Sequence, residues 1–309
     1  PAHLFQHHPA LGAALDLLVH TKKEFIAKEL PFIDQTILYD NFVLPFGPRR
    51  REVIDQLAAR EYDLAFCFSH SEDFCPAYYC YKSGAQVRIG FQSGEIAFFN
   101  IRIVPKTEAA YEPDRLSLLL DILGIPESKE GVSWSVSREG ARKIRDRYLV
   151  GSREGERLIG LDVSTALGDT PTSKQFLTIA KAVTELANTR VLIFFNYEER
   201  KEANQLKESL GPKALMFQNE DLPRLVVLLE VCEEIIAGNT DIFHLAVSMG
   251  RPVRGVFSKD QMPRWAPPKE TEGVKILDLD NLRTLSVSEI STLFRENPIV
   301  DQEHIEIAV

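Results

Sequence analysis

Short apolar runs alternate with amphipathic stretches along the whole chain. In the first half, runs rich in β-branched and aromatic residues predict strands at Leu15–His20, Thr36–Tyr39, Leu64–Phe68, Val87–Gly90 and Ile101–Val104. Helical spacing fits Lys22–Glu29, Cys75–Ser83, Asp114–Leu123 and Arg49–Arg60, where Val53, Leu57 and Ala58 share a face. Gly124 and Pro126 stop the last of these, and a charged helix is expected at Arg138–Leu149. The second half repeats the alternation. Strands fit Leu158–Val163, Arg190–Phe195, Ala214–Phe217, Glu234–Ala237, Val253–Phe257 and Lys275–Leu277. Helices fit Ser173–Leu186, Glu198–Leu210, Leu222–Val231, Ile242–Met249 and Ser288–Arg295.

Strands that alternate with helices call for parallel sheets with helices on both faces, so the fold class is α/β. The polar stretch Glu127–Ser137 and the turn-rich Gly151–Glu156 bracket a domain boundary. We expect two Rossmann-like domains, residues 1–145 and 146–309, facing each other across a cleft. Neither half holds a Gly-x-Gly-x-x-Gly or a Gly-x-x-x-x-Gly-Lys-Ser/Thr motif, which argues against a simple dinucleotide dehydrogenase or a P-loop enzyme.

Composition narrows the function classes. With 44% hydrophobic and 26% charged residues in 309, the chain is globular rather than disordered. A formal net charge of −9 argues against a nucleic-acid binder, which needs a basic face. Arg49-Arg50-Arg51 is the one compact basic cluster; it reads as a solvated helix start, with contact to an acidic glycolipid or headgroup as the minor reading. No apolar run reaches 18 residues and no signal peptide is visible, so a cytoplasmic protein is expected. The cysteines Cys67, Cys75, Cys80 and Cys232 have no zinc or redox spacing, and Cys67 and Cys232 sit in apolar runs as buried thiols, which fits a reducing compartment.

The segment Ala237-Gly238-Asn239-Thr240-Asp241-Ile242-Phe243-His244-Leu245-Ala246 carries the most chemistry. It is a polar turn that opens a helix just beyond the strand Glu234–Ala237, and such a turn aims free backbone N–H groups at the strand's carboxyl end, where open α/β sheets bind anions. His70-Ser71-Glu72-Asp73 follows the Leu64–Phe68 strand, and His70 or Asp73 is a candidate base, against the blander reading of a helix cap; a metal site with Cys75 is a weaker reading still.

Several segments, in order, resemble glycosyltransferase family 9, the lipopolysaccharide heptosyltransferases. They are Pro9–Val19, Phe32-Ile33-Asp34, Tyr62-Asp63-Leu64-Ala65, Gly84-Ala85-Gln86-Val87-Arg88-Ile89-Gly90-Phe91, Glu220-Asp221-Leu222 and Ile235–Thr240 with His244-Leu245-Ala246. The resemblance implies a GT-B architecture and inverting, metal-independent transfer of a heptose-type sugar from a nucleotide diphosphate donor to an envelope glycolipid or saccharide. It implies no cofactor beyond that co-substrate, and a cytoplasmic site with peripheral contact at the inner face of the membrane. The family's Thr-Thr-x-x-x-Lys element aligns with Ser164-Thr165-Ala166-Leu167-Gly168-Asp169, and its Asp-Thr-Gly turn with Asn239-Thr240-Asp241. Donor binding is therefore expected at Ser164, Thr165, Asn239, Thr240, Asp241 and His244, while Ser164–Pro171 can equally be a surface turn capped by Asp169 and Thr170. His244 reads as a family residue or as a packed histidine, and Trp265 as a stacking platform or as core. Lys174 is expected on the first turn of its helix.

Asp169 stands where the family has lysine, and Asp241 where it has glycine; both place negative charge where a diphosphate would settle, and Asp241 is expected to cap the helix with its own carboxylate. In this register the family's first strand and its Gly-Asp loop, which carries the general base, fall upstream of Pro1, so an N-terminally shortened or divergent member is expected. The alternative function is a catalytically inactive scaffold that binds saccharide or a protein partner.

Overall fold

The computed structural model describes residues 14–30, 32–40, 48–69, 74–91, 97–104, 111–125, 138–149, 151, 156–164, 171–219 and 221–296. By its contacts the chain divides into two compact units, Pro1–Glu130 and Gly131–Val309.

The first unit pairs β1 (Asp16–His20) with β2 (Gln35–Tyr39) in parallel, Leu18 opposite Ile37. A second parallel sheet joins β3 (Leu64–Cys67), β4 (Val87–Phe91) and β5 (Ile101–Ile103) in that order. A 3-10 turn, Thr21–Lys23, and the short α1 (Glu24–Ala27) occupy the span expected as one helix, because the His20 ring accepts the Lys22 N–H and sets a tight start. Then come α2 (Pro48–Ala58), α3 (Phe74–Lys82) and α4 (Glu112–Asp121). Val53 and Leu57 of α2 pack on Ile37 and Tyr79 as the periodicity predicts.

The second unit opens with α5 (Arg138–Tyr148). The division falls after Glu130, ahead of the expected 145/146, because α5 packs on α8 (Leu222–Val231) and on β8 (Ala214–Gln218). The remaining strands are β6 (Arg157–Asp162), β7 (Thr189–Phe195), β9 (Glu234–Ala237), β10 (Val253–Phe257) and β11 (Val274–Asp278). The helices are α6 (Ser173–Thr184), α7 (Arg200–Leu210), α9 (Asp241–Ser248), α10 (Met262–Trp265), α11 (Leu279–Thr284) and α12 (Val287–Glu296).

The six strands form one all-parallel sheet in the order β11-β10-β9-β6-β7-β8. Counted from β6 as first, this is the 3-2-1-4-5-6 order of a doubly wound nucleotide-binding sheet, and the strand order reverses between β6 and β9. Every residue of β7 and β10 is buried, as a sheet covered on both faces requires. Where the chain leaves this regular core the sequence pattern thins: α10 and α11, one to two turns each, carry too few residues for a helical period to show.

Gly255 marks how tightly this core is packed. A Cβ there would lie 2.4 Å from the Phe257 ring, 2.7 Å from the Phe243 ring and 2.8 Å from Ile276. Gly255→Ala is expected to cost about 1–3 kcal/mol by overpacking. Urea unfolding of the variant measures it, and a loss below a few tenths of a kcal/mol would show that the neighbouring rings yield.

Candidate functional site at the carboxyl ends of β6 and β9

The reversal point between β6 and β9 is where an open α/β sheet leaves a crevice, since the helices that follow the two strands lie on opposite faces. Both strands end there in polar groups. β6 ends at Asp162, whose side chain is fully buried, and β9 leads into Gly238, Asn239 and Thr240, all buried.

A ladder of hydrogen bonds ties the strand ends together. Asp162 Oδ1 accepts the Ser164 N–H at 3.0 Å, and Asp162 Oδ2 accepts the Thr240 hydroxyl at 2.5 Å. Asn219, just past β8, donates through Nδ2 to Ser164 Oγ at 3.2 Å and to Asn196 Oδ1, just past β7, at 3.3 Å. The ladder thus crosses from β9 through β6 and β7 to β8. Burial, with a smaller contribution from the Asp241 charge, pushes the Asp162 carboxyl up to about 6 against the pull of its Ser164 and Thr240 hydrogen bonds.

Thr240 caps α9. Its backbone is extended (φ −130°, ψ 167°) and its hydroxyl oxygen accepts the Phe243 N–H at 3.4 Å. Asp241 is therefore the first helical residue and is exposed; it does not make the cap expected of it, because only the residue before the first turn has the extended backbone that folds a side chain back onto the helix end. It still adds negative charge to an end the helix dipole makes positive. The Thr240 hydroxyl gives its one proton to Asp162 and accepts the Phe243 N–H on a lone pair, so it presents no O–H donor to a phosphate.

His244, one turn into α9, bonds through Nε2 to Asn239 Oδ1 at 2.9 Å. Burial lowers its pKa against the opposing pull of the Asp241 charge, and with Nε2 protonated the ring donates to the amide oxygen. Its ring lies 5.6 Å from that of Trp265, tilted by 56°, and the Arg264 guanidinium sits 5.3 Å from the Trp265 centroid. His244 thus holds Asn239 and packs on the Trp265 ring at once, the contacts of a packed histidine with a satisfied ring nitrogen.

Of the residues singled out from sequence, the structure gathers Ser164, Asn239, Thr240, Asp241 and His244 at one end of one sheet. Thr165 and Asp169 lie outside the described residues, as do His70 and Asp73. Lys174 is exposed on the first turn of α6. That helix is capped by Thr172, with Gln175 completing a capping box, while Asp169 and Thr170 lie outside the described residues. Asp162, Asn196 and Asn219 were not singled out. A carboxylate closing the apolar run Leu158–Leu161 was the available signal for the first of them.

The sequence profile of glycosyltransferase family 9 (heptosyltransferase) matches residues 50–291. The chain belongs to glycosyltransferase family 9. Solved structures agree on the fold at low identity. The chain is similar to the Escherichia coli ADP-heptose lipopolysaccharide heptosyltransferase II (16% identity, TM-score 0.72, covering 96% of this chain and 92% of that one). It is similar to the family 9 glycosyltransferase of Veillonella parvula (16% identity, TM-score 0.72, 97% and 85% covered) and to Escherichia coli heptosyltransferase WaaC with ADP (15% identity, TM-score 0.70, 96% and 94% covered). No curated protein sequence matches the chain. The fold is the α/β, parallel-sheet fold of the GT-B glycosyltransferases.

Proposed function

We propose that this family 9 chain takes a nucleotide diphosphate sugar at the carboxyl ends of β6 and β9 and that its activity is sugar transfer of the heptosyltransferase type onto an envelope glycolipid or saccharide. The observation that carries this reading is the Asn239-Thr240-Asp241 turn, which opens α9 at the reversal point of the sheet. Backbone N–H groups at the start of α9 suit a phosphate, and Asn239, held by His244, suits sugar hydroxyls. The Trp265 ring beside His244 suits a sugar or base face.

Charge weakens this site. Asp241 stands at the helix end and Asp162 lies beneath it, so the diphosphate meets like charge at short range. Titration calorimetry of ADP- and UDP-sugars is expected to give dissociation constants weaker than about 0.1 mM; low-micromolar binding would refute the electrostatic account. Asp241→Gly removes one charge and opens the backbone, and is expected to tighten nucleoside diphosphate binding about fivefold, roughly 1 kcal/mol. Unchanged affinity would move the phosphate away from this turn.

A second reading follows from the Thr240 proton being committed to Asp162. A site poor in donors for phosphate but furnished with Asn239 and Trp265 fits a non-catalytic saccharide scaffold. Neutral saccharide binding to the wild-type chain, with no heat from nucleotide sugars even after Asp241→Gly, would favour it.

A further inference from the structure

We propose that the cavity at the amino ends of β6 and β9 binds a small amphipathic monoanion, a carboxylate carried on a short apolar chain. The cavity measures about 250 Å³ and lies between the sheet and the helices α6 and α12. Arg157 and Asp162 close opposite ends of β6, so it lies about 16 Å along the strand from the end that meets Thr240. The site is separate from the donor turn, and its argument does not depend on donor binding.

Its depth is apolar. Ile159 of β6, Ile236 of β9, Val183 of α6 and Phe294 of α12 are buried and form the walls. Water held against such walls finds few polar partners, and an apolar group that displaces it gains affinity.

The rest of the lining is charged, and the register across the sheet explains why. Ile159 stands opposite Glu234, Ile236 opposite Arg254, and Arg254 opposite Lys275. Side chains two residues apart share a face of a strand, so Arg157, Glu234, Arg254 and Lys275 extend from the same face as the two isoleucines. α12 adds Arg295, which is exposed like Arg157 and marks the open side of the cavity with it. These four cations outnumber Glu233 and Glu234, the carboxylates that pair with Arg157 and Arg254. Burial first, and then the Arg254 charge, lower the Lys275 ammonium below its usual range against the pull of Glu234. Arg157 is engaged through Nε, at 2.7 Å from Glu233, which turns its remaining N–H groups to the task of holding an anion.

Shape and charge together select the occupant. A planar carboxylate fits an arginine fork, and one negative charge is tolerated beside the two glutamates better than the two of a phosphate. A cation would add to the excess positive charge. At about 30 Å³ for each water-sized group the volume holds roughly eight of them, the size of a six-carbon carboxylate.

Hexanoate is the probe, titrated into the full chain with methyl NMR as the readout. It is expected to shift the Ile159 and Ile236 methyl resonances with a dissociation constant of about 0.1–1 mM, ordinary for so small a ligand. Acetate, which lacks the apolar body, and hexylammonium, which reverses the charge, are each expected to bind at least about tenfold more weakly. Val183→Phe fills the cavity and is expected to abolish binding. Arg295→Glu, an exposed change at the open side, is expected to weaken it about fivefold or more. Circular dichroism melts confirm that each variant is folded, and Arg295→Glu keeps the test decisive where Val183→Phe fails to fold. Absence of hexanoate binding, equal binding of hexylammonium, unchanged affinity in either folded variant, or shifts confined to residues outside the cavity overturns the proposal.

Discussion

Glu234→Leu is expected to destabilise the second unit by about 3 kcal/mol, the lower part of the range for breaking a buried ion pair. Arg254 of β10 is 1% exposed, and the Glu234 carboxylate of β9 receives two of its guanidinium N–H groups. The same guanidinium lies 4.7 Å from the centre of the Phe294 ring of α12. Burial pushes the Glu234 carboxyl up, and the Arg254 charge pulls it back, which is the balance of a desolvated pair. Removing the carboxylate leaves the buried Arg254 cation without this ion-pair partner, close to the further cations Arg157 and Lys275. A cavity of about 250 Å³ beside Glu234, lined also by Ile159, Val183, Ile236 and Phe294, admits water and moderates the loss. Glu234→Leu with Arg254→Met removes both charges and is expected to return to within about 1 kcal/mol of wild type. Urea unfolding of the single and double variants checks both figures. A single variant as stable as wild type, or a double variant no better than the single, would show that the pair is not what holds β9 to β10 at their amino ends.

The second unit was legible because its core strands are uninterrupted apolar runs. Glu234–Ala237, Val253–Phe257 and Leu222–Val231 form with the bounds read from sequence, since each is closed by a turn or a cap that the sequence states: Asp221 before α8, and Gly238 after β9. The doubly wound layout followed from alternation alone, but the strand order that creates the site did not, because pairing between β6 and β9 joins segments 75 residues apart and no local pattern records it. The same distance hid Asp162. In sequence it is one polar residue in an apolar strand; only the fold brings Thr240, 78 positions away, onto its carboxylate. The Asp241 cap failed for a local reason, as Thr240 was equally able to cap and stood one residue earlier. On α3 the aromatic residues have the spacing of a core face, and periodicity cannot distinguish a stripe turned inward from one turned outward when Ala77, Tyr79 and Cys80 are apolar as well. The two cysteine readings held: Cys67 and Cys232 are buried free thiols, and burial pushes the Cys232 thiol up to about 12.

The carboxyl of Asp162 should make the protein less stable as pH rises from about 4 to 6. In the unfolded chain an aspartate titrates near 3.8, whereas in the folded protein Asp162 titrates at about 6. Between those values the folded state holds a proton that the unfolded state has released, so unfolding is disfavoured at the acid end and this contribution disappears as the pH passes 6. The shift corresponds to about 3 kcal/mol. Glu234 is also raised by burial and adds a change of the same sign, so wild type alone cannot isolate the effect. Asp162→Asn can, because the amide keeps an acceptor for the Ser164 N–H and has no proton to lose. The stability of Asp162→Asn relative to wild type should therefore climb by about 2.4 kcal/mol between pH 4 and pH 7 in urea unfolding at a series of pH values. A difference that stays flat across that range would place the Asp162 titration elsewhere. The same variant no longer demands the Thr240 proton, so the hydroxyl can turn toward a ligand; nucleoside diphosphate binding at neutral pH should strengthen as well, through one added donor and one charge removed from beneath α9.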